Sequence, residues 1–153
     1  MNMYEIESKT LSEQPTVVVR GRVKVSDIGD WLGPAYAAAA RVAGAAIAGL
    51  PFGRYQVVEG DPPAFDVEAG FPVATFVEGS GEVEAAKLPG GLVAVTWHRG
   101  PYDGLELAHK ALTSWLRQHG ARAAGEPWEV YYTDPMTDPD PMAWRTEVIQ
   151  PYS

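Results

Sequence analysis

The chain repeats itself about half its length apart. A shift of 73 residues lays Asp30, Leu32, Ala35, Ala38, Val57, Asp61 and Pro62 onto Asp103, Leu105, Ala108, Ala111, Val130, Asp134 and Pro135 without a gap. The match resumes at an offset of 79, where Phe65 to Glu68 lies over Trp144 to Glu147 and Pro72 over Pro151, so the second copy has a six-residue insertion in its last loop. Self-similarity of this kind predicts two copies of one supersecondary unit, approximately 14–76 and 88–153 of a single domain over 1–153. Two such copies packed about a pseudo-two-fold axis leave a cleft where they meet, a favoured place for a small ligand.

Each copy reads as strand, helix, strand, strand. In the first, Thr16 to Val25 is a β-branched run that turns to alternation, Gly33-Pro34 is a plausible helix start, and Gly49 before Leu50-Pro51 is a plausible stop. Arg54 to Val58 and Phe65 to Val73 follow as strands around the turn Gly60-Asp61-Pro62-Pro63. In the second, Leu92 to Trp97 reads as a strand and Pro101 to His119 as a helix closed by Gly120. Leu105, Ala108, Leu112, Trp115 and Leu116 mark one face of that helix, and Trp128 to Thr133 and Arg145 to Gln150 supply the last strands. The stretch from Glu78 to Gly91, with its glycines and short charged segment, reads as a connector inside one domain, because each half alone offers too little core.

Composition narrows the function classes. The chain has 153 residues, 46% of them hydrophobic, which suits a globular domain with a sizeable core. It has no cysteine, so disulfides, zinc knuckles and thiol nucleophiles are excluded and a cytoplasmic location is expected. The polar, acidic start and the interrupted Ala-rich stretch from Ala35 to Leu50 support neither a secretory leader nor a membrane span. A net charge of -8 argues against direct nucleic-acid binding, which needs clustered Lys or Arg, while leaving cationic ligands or a basic protein partner open.

The second half also carries a resemblance. Leu88-Pro89-Gly90-Gly91, Val95 to Asp103 through Trp97-His98-Arg99-Gly100-Pro101-Tyr102, and Trp128 to Pro135 through Glu129-Val130-Tyr131-Tyr132 are similar to the GyrI-like small-molecule-binding family. The resemblance covers nearly the whole chain. It implies an α+β fold of duplicated βαββ units, with an antiparallel sheet, two helices on one face and a central ligand cleft. That family includes effector-binding domains of multidrug-responsive regulators, a gyrase inhibitor, and stand-alone hydrolases of cyclopropane-bearing cytotoxins. The domain starts within about the first fifteen residues, which leaves no room for an ordinary DNA-binding module, so a stand-alone member is expected.

Glu129 is the leading candidate for chemistry. Strands avoid glutamate, alternation puts Glu129 and Tyr131 on one face with Trp128, Val130 and Tyr132 on the other, and a buried carboxylate needs a partner. The resemblance implies that Glu129 anchors hydrophobic, aromatic or cationic molecules, or else acts on water in a cyclopropane-opening hydrolase, with Tyr131 assisting; Tyr102, Glu68 and Glu147 are further candidates to assist. Tyr36, Tyr55, Phe71, Trp97, Tyr102, Trp128, Trp144 and Glu147 are expected ligand contacts. A gyrase-inhibitor type of protein binding is a third reading. No cofactor or metal is expected: His98 belongs to a turn, and His109 and His119 are ten apart on a helix, so they cannot share an ion and read as surface or capping residues. Under the 73-residue shift Gln56 lies over Glu129 and Val58 over Tyr131, so the second copy reads as having gained a charge and a phenol.

Overall fold

The computed structural model describes residues 4–133 and 138–153, so Asp134 and Pro135, used by both the repeat and the resemblance, lie outside the described residues. In chain order the elements are β1 (Glu7–Leu11), β2 (Gln14–Lys24), α1 (Ile28–Ala43), β3 (Phe52–Val58), β4 (Ala64–Pro72), β5 (Val83–Leu88), β6 (Gly91–Arg99), α2 (Leu105–Gln118), β7 (Trp128–Tyr131) and β8 (Arg145–Pro151). They form two units: a contiguous one over 13–89, and a split one made of 1–12 and 90–153. Both are α+β.

In the contiguous unit the antiparallel strand order is β5-β2-β4-β3. Val17, Val19 and Val23 of β2 with Val67 and Ala69 of β4 meet the stripe Ala35, Ala38, Ala39 and Ala43 of α1. Alanines on the buried side let the helix lie close to the sheet, and Trp31, Leu32, Tyr36, Tyr55, Phe65 and Phe71 pack around that contact. In the split unit the order is β1-β6-β8-β7, again antiparallel. There Leu105, Ala108, Leu112 and Leu116 of α2 pack against Ala94 of β6 and Val148 of β8. Each unit thus has the same plan: a strand, a helix and two further strands, with an additional edge strand beside the first.

Three expectations change. The first helix begins at Ile28, not at Gly33-Pro34, and Pro34 lies inside it. Ile28, Trp31 and Leu32 pack on the core cluster, and that burial offsets the bond lost at a proline without an N–H. The helix ends at Ala43 rather than near Gly49, because Gly44 takes a φ of 54°, a left-handed conformation that breaks the helical repeat. Finally, the stretch read as a connector contains β5, and β1 precedes the first expected strand. Both are edge strands in their units and are rich in charge, as exposed edges are, which hides them from hydrophobic periodicity.

Candidate functional site

Glu129 sits on the short strand β7 directly opposite Val148, a member of the α2 core, so its side chain is on the helix side of the split unit's sheet. It is only 7% exposed. Both carboxylate oxygens are engaged: the Tyr131 hydroxyl donates to Oε1 at 2.7 Å, and Nε2 of His109 on α2 lies 2.7 Å from Oε2. A carboxylate only accepts, so the hydrogen in the second bond belongs to the imidazole. Tyr131 is where strand alternation placed it, two residues along the same face.

Aromatic rings continue the site outward. Tyr102, just ahead of α2, meets Tyr131 edge-on with centroids 5.6 Å apart and tilts against Trp144 at 4.8 Å. Trp144 is fixed by its Nε1, which donates to the Asp138 carbonyl at 2.8 Å. The result is a buried carboxylate between a phenol and an imidazole, next to a wall of Tyr131, Tyr102 and Trp144.

Other expected contacts lie elsewhere. Trp97 and Glu147 are directly opposite one another on β6 and β8, and both stand on the sheet face turned away from α2. Trp97 meets Tyr132 there at 4.7 Å, and the Tyr132 hydroxyl donates to Glu147 Oε1 at 3.4 Å. Burial, chiefly, holds the Glu147 carboxyl above the usual carboxylate range, with Lys9 and the Tyr132 hydrogen bond opposing and Glu7 adding to the rise. Trp128 is 3% exposed and lies on that same face. Tyr36, Tyr55 and Phe71 pack against the core of the contiguous unit, where the Tyr36 hydroxyl donates to the Phe52 carbonyl at 2.9 Å. Glu68 is ion-paired with Arg20.

His109 is the residue that sequence reasoning missed. Its place on α2 reads from sequence as surface or capping, whereas it holds the candidate carboxylate across 20 residues of sequence. A signal was present: His109 is four residues after Leu105 and three before Leu112, on the border of the apolar face that meets the sheet.

Strand pairing also corrects the alignment of the two halves. Phe52 is opposite Gly70 and Trp128 is opposite Ile149, so with β4 and β8 related by 79 residues, Phe52 matches Trp128, Gly53 matches Glu129 and Tyr55 matches Tyr131. Pairing Gln56 with Glu129 carries the helix offset past a loop whose length differs between copies. The phenol is common to both halves. The carboxylate is particular to the second, as is its partner His109, which lies over Tyr36 under the helix offset, and in the contiguous unit the Tyr55 hydroxyl occupies the space a Cβ on Gly53 would enter.

The α+β plan of the two units is the fold of a small-molecule-binding family. A model of the GyrI-like small molecule binding domain matches residues 4–153, and the chain belongs to that family. Among solved structures, the EcmrR C-terminal domain is 22% identical with a TM-score of 0.87, covering 99% of this chain and 98% of that one. A hydrolase from Listeria innocua is 13% identical with a TM-score of 0.64, covering 97% and 92%. SAV2435 bound to tetraphenylphosphonium is 13% identical with a TM-score of 0.67, covering 97% and 94%. At these identities the likeness concerns the fold. No curated protein matches the chain. Among the described residues, no helix is long and apolar enough to cross a membrane.

Proposed function

We propose that the chain binds small lipophilic cations on the helix side of the split unit, with Glu129 as the anchoring charge and Tyr102, Tyr131 and Trp144 as the ring-lined wall. The carrying observation is the buried Glu129 carboxylate beside those rings. A charge pair near 4 Å at an effective dielectric of 20 is worth about 4 kcal/mol before desolvation, and each cation-π contact adds roughly 0.5 to 2 kcal/mol. The similar fold of SAV2435, bound to tetraphenylphosphonium, suggests that cation as a probe. Titrating it into the full chain and into Glu129→Gln should show binding weakened at least about tenfold by the substitution, equivalent to roughly 1.4 kcal/mol. Equal affinity in the two proteins, with both folded by melting, rejects the anchor.

A second reading is favoured by the acid-base set around the same carboxylate, Tyr131 and His109, and by the similar fold of the Listeria hydrolase. In it Glu129 accepts a proton from a water that attacks a strained cyclopropane carbon, and a neighbouring donor supplies one to the departing carbon. Mass analysis of a cyclopropane-bearing alkylator incubated with the protein separates the readings. Turnover abolished in Glu129→Gln favours catalysis; intact alkylator together with saturable cation binding favours the binder.

A further inference from the structure

The sheet faces turned away from the helices carry different charged groups in the two units. In the contiguous unit Arg22 is directly opposite Asp66, and Arg20 is directly opposite Glu68. Both are ion pairs; the Arg22 guanidinium grips both Asp66 oxygens, at 2.8 and 3.0 Å. Strand pairing puts Arg99 and Arg145 of the split unit at the positions of Arg22 and Asp66, and Trp97 and Glu147 at those of Arg20 and Glu68. A guanidinium has replaced the acid, and an indole has replaced a guanidinium.

Arg99 and Arg145 are therefore two like charges directly opposite each other, an arrangement that costs stability. The chain has 20 acidic residues against 12 Lys and Arg, yet among the described residues no ion pair or side-chain hydrogen bond engages either guanidinium. Both are exposed, and with Trp97 and His98 they line a shallow open depression. Trp97 is 46% exposed and is held edge-on by Tyr132, so its indole is fixed yet open to solvent. The acidic neighbour Glu147 is two pairs further along the strands, next on the same face, with its own hydroxyl partner in Tyr132.

We propose that Arg99, Arg145 and Trp97 form a second binding site, for a small aromatic carboxylate. Its carboxylate lies between the two guanidinium forks and answers Arg99 as Asp66 answers Arg22 in the other unit, and its ring lies against Trp97. Planar forks suit a bidentate carboxylate, and aromatic faces suit an aryl group. Glu129 is on the opposite face of the same sheet, so this site is separate from the proposed cation site.

Benzoate is the probe, titrated into the full chain by calorimetry and by tryptophan fluorescence, with acetate as the ringless control. Saturable benzoate binding at millimolar concentrations or below is expected, with acetate at least about tenfold weaker because it lacks the stacking contact. Arg145→Asp recreates the pairing of the contiguous unit with Arg99, so it should abolish benzoate binding while leaving the melting temperature equal or raised. Trp97→Phe should remove the fluorescence response. The proposal is overturned if wild type shows no saturable binding, if Arg145→Asp binds benzoate as well as wild type, or if the fluorescence response survives in Trp97→Phe.

Discussion

At the scale of single residues, the two units exchange bulk across the same contact. In the contiguous unit Gly21 on β2 makes room for Trp31 of α1: a Cβ there would stand 2.9 Å from the indole. In the split unit the matching strand position carries His98 and the matching helix-entrance position carries Gly104, where a Cβ would stand 2.9 Å from the imidazole. Large and small have changed places across that contact, so the chemistry between strand and helix differs in the two units. Glu147 gives a pH signature at this scale. Its folded carboxyl is held above the ordinary range, so between the unfolded and folded titrations the folded state binds more protons. Stability therefore declines as pH rises through that window. Glu147→Gln should flatten this decline and leave the variant more stable than wild type at neutral pH, as read by denaturant midpoints at pH 4 and pH 7. Strand alternation alone made the shared face of Glu129 and Tyr131 legible. His109 was not, since no spacing rule tells which strand residue a helix-border side chain will meet.

Among the elements, α1 shows how burial overrides local signals. It keeps Gly29, Gly33 and Pro34 in its first half because Ile28, Trp31 and Leu32 gain core contacts there. Gly29 is exposed, and a Cβ added to it meets nothing within 4 Å, whereas a Cβ on Gly33 would crowd the Cδ of Pro34. Gly29→Ala should raise stability by about 0.5 to 1 kcal/mol, seen as a higher melting temperature with unchanged helical signal. The better-patterned α2 was legible from its Leu105, Ala108, Leu112 and Leu116 stripe, and its closing Gly120 adopts a φ of 64°. By contrast β1 and β5 lacked any apolar run to announce them. Val83 and Leu88 of β5 are buried, but the residues between them, Glu84 to Lys87, read as a solvated link.

For the whole molecule, the plan common to both units carries different side-chain chemistry in each. The proposed cation site depends on a carboxylate that the contiguous unit replaces with Gly53, under the Tyr55 hydroxyl. Calorimetry with tetraphenylphosphonium should accordingly give one cation per chain; two equivalent sites would contradict the assignment. The repeat in the sequence pointed to the common plan, but its gapless shift misplaced the third strand, because the lengths of loops are not constrained by packing as strand registers are. Pairing partners were needed to find which positions correspond.

The split of one unit around the other has a consequence for synthesis. Residues 13–89 are consecutive, so every strand of that unit is made before β6 is complete. The first strand must wait, since Glu7 pairs with Val95 and the sheet it joins ends with β8. At roughly 5–20 residues per second, the leading segment spends several seconds on the ribosome without its partner. The segment 7–11 thus meets its partner strand only after residues 13–89 have been made.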